Sequence, residues 1–258
     1  MKLNRVLLIR KPYGAERRDR ALGKIKRTLE QMGVYLICVS RFDIPRSRNF
    51  DLIITFGGDG TFLAAAHAAN GIPVLGVNAA PDHSVGFFCA ATPDTFDEVI
   101  AKIAAGRMRP RRVPLIESSI GGKKLGCLAL NDVLFAGSSP AETVRYTITA
   151  GGRREEQKSS GVWISAGPGS TAAISSAGGR PLGIASRRLQ FVVREPCLRP
   201  GSRYRMTRGV LRGGSRITIV SNMRTARIYI DGHWNDYAAK PGTKVTCKVA
   251  KQTLKIFI

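Results

Sequence analysis

Apolar runs and amphipathic stretches alternate through the first hundred residues. Residues 6–9 read as a strand, and residues 16–32 as a helix carrying Ala21, Ile25, Leu29 and Met32 on one face, with Gly33 as its stop. Residues 34–39 form a second apolar run, so strand, helix and strand predict a parallel α/β sheet. A polar stretch at 41–49 leads to a buried strand at 52–56, the first turns of a helix at 62–66 and another strand at 72–78. Thr92 is expected to cap a further helix with Pro93 at its first position and Phe96, Val99, Ile100 and Ile103 facing inward until Gly106.

Beyond Pro110 the texture changes. Short apolar or alternating runs recur at 113–116, 127–135, 144–149, 162–165, 189–193, 216–221, 226–230 and 244–250, separated by glycines. Strands without intervening helices predict a β-rich, sandwich-like domain, interrupted by one helix starting near Gly169. The expected division is 1–107 for the α/β domain and 108–258 for the β-rich one.

Composition narrows the class. With 258 residues, 43% hydrophobic and 23% charged, the chain is a globular protein and not a disordered one. Its five cysteines are scattered without metal-ligand spacing, which suits free thiols in a reducing cytosol, and no metal cluster is expected. The first ten residues are too short an apolar run for a signal peptide or membrane span, so a cytoplasmic protein without a membrane partner is expected. The net charge of +23 implies anionic partners. Arginine pairs are not interleaved with aromatics, so no specific nucleic-acid site is expected.

The first turn, Lys11-Pro12-Tyr13-Gly14, lacks the glycine fingerprint of a conventional dinucleotide site. Candidate chemistry concentrates instead at Gly57-Gly58-Asp59-Gly60-Thr61, between a strand and a helix. Glycines there let a phosphate chain approach backbone amides near a helix N-terminus. A carboxylate aimed at phosphate makes sense where a hydroxyl must lose its proton during phosphoryl transfer. A plain tight turn is the other reading of the same residues.

Two later motifs bear on the choice: Leu130-Asn131-Asp132-Val133, and Gly167-Pro168-Gly169-Ser170-Thr171-Ala172 followed by Ser176-Ala177-Gly178-Gly179. Together with the first motif and Ile230-Asp231-Gly232, they resemble the NAD kinase family over nearly the whole chain. Residues 78–86 and 157–161 resemble its mitochondrial-type branch. The resemblance implies an α/β domain, a β-sandwich-like domain and a substrate cleft between them. It also implies assembly as homodimers or homotetramers, and transfer of the γ-phosphate of ATP, or of polyphosphate, to the adenosine 2′-hydroxyl of NAD or NADH.

In that family Asp59 would be the catalytic base or orienting carboxylate, and Gly57, Gly58, Gly60 and Thr61 the phosphate-facing loop. Phe87 would line the adenine pocket, with Asn131, Asp132, Ser160, Ser170, Thr171 and Ala172 binding NAD. Mg²⁺, or another divalent cation, is expected to arrive with ATP. The chain departs from the family at Asp132, where glutamate is usual, at Ala173, where tyrosine is usual, and at Ser160, where many bacterial members have aspartate. A lipid or sphingoid kinase sharing the first motif, and a non-catalytic polyanion binder, are the alternatives.

Overall fold

The computed structural model describes every residue except 1, 13–15, 46–48, 199 and 202, with only the backbone of 16–18. Tyr13-Gly14 of the first turn and the middle of the 41–49 loop thus lie outside the described residues. Two compact units emerge, Met1–Arg112 with Leu254–Ile258, and Val113–Thr253. The last five residues, assigned above to the β-rich domain, cluster with the first unit.

The first unit contains β1 (Arg5–Arg10), α1 (Glu16–Gln31), β2 (Tyr35–Ser40), β3 (Leu52–Gly57), α2 (Asp59–Ala68), β4 (Val74–Asn78), β5 (Cys89–Ala91) and α3 (Phe96–Ala104). Its strands are parallel in the order β2-β1-β3-β4, with β5 also parallel to β4. Leu22, Ile25 and Leu29 of α1 and Phe96, Ile100 and Ile103 of α3 are buried in one core with Leu8, Ile54 and Val77. Each such side chain contributes about 1.5–3 kcal/mol on burial. Thr28 Oγ1 donates to Asp97 Oδ1 at 2.8 Å, tying the two helices. Met32, expected on the inner face, lies past the end of α1 and is 38% exposed. The third helix begins at Phe96 with Thr95 as its cap residue, three positions later than the expected Thr92.

The second unit comprises β6 (Arg111–Ile120), β7 (Lys123–Ala129), β8 (Asp132–Gly137), β9 (Val144–Ala150), β10 (Arg153–Ser159), β11 (Gly161–Ser165), β12 (Leu189–Arg194), β13 (Arg208–Leu211), β14 (Arg216–Ser221), β15 (Ala226–Ile230), β16 (Asp236–Ala238) and most of β17 (Lys244–Phe257). Two antiparallel sheets form, β10-β9-β14-β17 and β13-β12-β11-β8-β15-β16. Tyr146, Ile148, Ile217, Ile219 and Val245 of the first share a core with Val133, Phe135, Ile164, Phe191 and Ile228 of the second. The two sheets therefore pack face to face, and Phe135 meets Tyr146 edge-on at 5.3 Å.

Two sequence expectations change here. The run at 127–135 is two strands, β7 and β8, parted at Leu130-Asn131. The helix expected from Gly169 is a 3-10 turn, Pro168–Thr171, followed by a single turn of α4, Ala173–Ser176. Small residues supply too little apolar surface to hold a longer helix against the sheet.

Candidate functional site

β3 is buried along its whole length and delivers Gly57 to the loop. Gly58 then takes an extended conformation, and α2 starts at Asp59, with Thr61 and Phe62 amides donating to the Gly58 carbonyl. A β-carbon on Gly57 would lie 2.3 Å from Thr61 Oγ1, and one on Gly58 would lie 2.6 Å from Ser84 Oγ. Gly57 is thus demanded by packing, Gly58 meets only the rotatable Ser84 hydroxyl, and Gly60 has only Arg41 Nη1 nearby, at 3.6 Å. Thr61 turns its side chain inward and is buried.

Asp59 is held from across the sheet. Its Oδ2 accepts from the Phe87 amide and its Oδ1 from the Phe88 amide, both at 3.0 Å. Asn78, at the end of β4, sets the intervening loop: its Nδ2 donates to the Ser84 carbonyl at 2.9 Å and its Oδ1 accepts from the Ala80 amide at 3.1 Å. Gly86, at φ +59°, passes so close to Asn78 that a β-carbon would clash at 2.4 Å. Phe88 anchors the loop by stacking on Phe62 of α2 at 5.1 Å. Phe87 keeps its ring 38% exposed, beside the carboxylate that its own amide orients. Each carboxylate oxygen retains a lone pair for a further donor.

Around this point lies a cavity of about 440 Å³ at the carboxyl ends of β1, β3 and β4, lined by Gly57, Gly58, Asp59, Gly60 and Thr61. Arg10, Lys11, Arg41 and His83 also line it, with Asp19. The Nε of Arg41 is buried and has no hydrogen-bond partner among the described residues. A desolvated, unpaired guanidinium N–H is costly, and an anionic oxygen in the cavity would satisfy it. Cys89 is no nucleophile: burial first, then the Asp59 charge, pushes its thiol up to about 12.

The remaining expected residues sit in the second unit. Asp132 and Ser160 line a separate cavity of about 320 Å³ with Trp163, Arg194, Tyr229 and His233. Asn131 lies against the 3-10 turn, where a β-carbon on Gly169 would come within 1.6 Å of the Asn131 carbonyl oxygen. Thr171 is exposed and Ala172 half-buried. Ser170, by contrast, is fully buried: its hydroxyl donates to the Gly167 carbonyl at 2.7 Å and accepts from the Leu182 amide at 2.8 Å. Its hydroxyl proton and one lone pair are engaged within the fold.

Asp231, quoted in the sequence motifs but given no role there, is the organiser of this region. Its Oδ2 accepts from Leu130, and its Oδ1 from Asn131 and Asp132, at 2.8, 2.8 and 3.1 Å. It stands at φ +50°, a conformation that aspartate and asparagine tolerate better than most residues. Burial, aided by the Asp231 charge, raises the Asp132 carboxyl to about 7. The signal for Asp231 was the Asp-Gly pair after a strand. For Arg10 and Arg41 it was position, since ligands of parallel sheets bind beyond the carboxyl ends of strands.

Among the described residues no group of three or more His, Cys, Asp or Glu could hold a metal ion. Asp59 and Asp19 are the carboxylates of the first cavity, a donor set that fits a hard cation carried in on phosphate oxygens.

Comparison with known proteins gives one consistent picture. Residues 17–108 match the family model described as the ATP-NAD kinase N-terminal domain. The chain is 30% identical to a probable NADH kinase of Oryza sativa subsp. japonica, over 90% of this chain and 79% of the relative. It is 32% identical to an NADH kinase of Arabidopsis thaliana, over 85% and 77%, and 27% identical to an NAD kinase of Caldicellulosiruptor bescii, over 95% and 90%. Its fold matches an NAD kinase from Archaeoglobus fulgidus solved in complex with ATP, with TM-score 0.79, 22% identity and coverage of 98% of this chain and 93% of that one. Yeast NADH kinase complexed with NADH matches with TM-score 0.79, 18% identity and coverage of 99% and 83%.

Proposed function

The chain belongs to the NAD kinase family, and from that premise we propose that it moves the γ-phosphate of ATP onto the 2′-hydroxyl of the adenosine ribose of NAD, forming NADP. The observation that carries this reading is Asp59: a carboxylate clamped by two backbone amides, at the mouth of a glycine loop, in a cavity of cationic side chains.

In this mechanism a free lone pair of Asp59 takes the 2′-hydroxyl proton. The ribose oxygen bonds to the γ-phosphorus, and the bond from that phosphorus to the β,γ-bridging oxygen breaks, releasing ADP. Arg41, Arg10 and Lys11 hold the donor phosphates, and the buried Arg41 Nε gains its missing acceptor. Mg²⁺ brought in with ATP would be held near Asp59 and Asp19 and would supply charge neutralisation. Asn131, Asp132, Ser160, Thr171 and Ala172 contact the dinucleotide, Phe87 lines the adenine pocket, and Ser170 shapes the turn.

The two plant relatives named as NADH kinases, together with residues 78–86 and 157–161, support placing the chain in the mitochondrial-type branch, with NADH as a second acceptor. Polyphosphate is the second donor to assay, and a cytoplasmic homodimer or homotetramer is the expected form. The lipid-kinase and polyanion-binder readings are not favoured by relatives named for NAD or NADH. Among the described residues no helix is long and apolar enough to cross a membrane.

The deciding experiment incubates the protein with ATP, Mg²⁺ and NAD or NADH and measures NADP(H) with a coupled dehydrogenase. Asp59→Asn is expected to lower kcat by roughly 10²–10⁴ while the protein stays folded, with a modest fall in thermal midpoint because asparagine keeps an acceptor for only one of the Phe87 and Phe88 amides. Full turnover in that variant would remove Asp59 from the chemistry.

A further inference from the structure

Arg180, Arg188 and Arg208 line a further cavity, of about 440 Å³, that none of the roles above uses. The lining of that cavity contains no carboxylate, unlike the cavities lined by Asp59, by Asp132 and by Glu117. Some cations elsewhere in the described structure are paired with carboxylates. Arg227 pairs with Asp236, Lys24 with Asp97, and Glu117 sits between Lys124 and Lys248. Among the described residues, none of the three cavity arginines has an ion-pair partner.

The backbone presenting them is fixed. Gln190, 1% exposed on β12, accepts from the Arg180 amide at 3.1 Å and donates to the Arg180 carbonyl at 3.0 Å. Arg208 opens β13, paired with Val192 of β12, and its Nη1 donates to the Gly178 carbonyl at 3.3 Å. Gly209 keeps the floor close, since a β-carbon there would lie 2.7 Å from the Phe191 ring. Phe191 itself is buried and offers no open face on which a base could stack. Three arginines, whose guanidinium groups can each bind phosphate oxygens two at a time, thus line one concavity that holds no carboxylate.

We infer that this cavity is a binding site for an oligophosphate anion of three or more charges. It is separate from the glycine-loop cavity and independent of the kinase reading. The shared chemistry is a run of phosphate groups, either free or as the tail of a nucleotide.

The test is arginine footprinting of the whole protein with phenylglyoxal, read by peptide mass spectrometry, in chloride, sulfate, tripolyphosphate and ATP at matched ionic strength. Tripolyphosphate is expected to slow labelling of Arg180, Arg188 and Arg208 together by at least tenfold, with exposed Arg153 and Arg154 changing less than twofold. Equal protection by ATP assigns a nucleotide tail, and protection by tripolyphosphate alone assigns free oligophosphate. Arg188→Glu is expected to abolish protection of Arg180 and Arg208 while NADP formation stays unchanged. Uniform slowing of all exposed arginines, or protection by sulfate equal to that by tripolyphosphate, would overturn the site.

Discussion

Asp132 and Asp231 show how much one side chain can set. Asp231 satisfies three backbone amides, so Asp231→Ala leaves them without acceptors and should destabilise the protein by about 2–4 kcal/mol in urea unfolding. Asp231→Asn, which tolerates the same backbone conformation, should cost less than half of that. Asp132 works in the other direction. Its folded carboxyl, near 7, lies above the unfolded value near 4, so folding takes up a proton between those pH values. Stability from this group is therefore greatest below about pH 4 and declines as pH rises through 7. Asp132→Asn should flatten the pH 5–8 stability profile by a few kcal/mol, and an unchanged profile would show that Asp132 is not desolvated. Neither role was legible locally, because Asn131-Asp132 and Asp231 are a hundred positions apart in the chain.

At the scale of elements, the β3–α2 junction carries the most information per residue. Gly57→Ala drives a methyl into Thr61 Oγ1 and should cost about 1–3 kcal/mol together with turnover, whereas Gly60→Ala meets only ordinary contact and should keep the wild-type melting temperature. Reversal of that order would mean that the junction is not packed as described. The strand-loop-helix itself could be read from the apolar run and its glycines. Which glycine is structural and which faces the open cavity could not, since Thr61 and Ser84 supply the answer. β10 escaped notice because RREEQKS carries no apolar alternation. It pairs as an edge strand through backbone bonds, with only Gln157 and Ser159 turned inward to Tyr146.

For the whole molecule, the last strand gives a sharp test. Leu254, Ile256 and Phe257 are each at most 2% exposed, and Ile256 and Phe257 continue the parallel sheet of the first unit beside Val74 and Leu75. Deleting residues 254–258 should cost about 4–8 kcal/mol from lost burial and leave little soluble protein, measured by expression and chemical unfolding. The charge of +23 predicts that KM for ATP rises steeply with NaCl while the Asp59→Asn defect does not change. By itself the sequence determined the two kinds of architecture, the position of the glycine loop and its acid, because hydrophobic period and glycine placement are local properties of a chain. Tertiary structure alone decided that Phe87 and Phe88 amides grip that acid, that the Ser170 hydroxyl is engaged within the fold, that Arg41 reaches the loop, and that three arginines share one hollow. Those facts depend on which distant segments approach one another, and desolvation and hydrogen bonding act only once they have met.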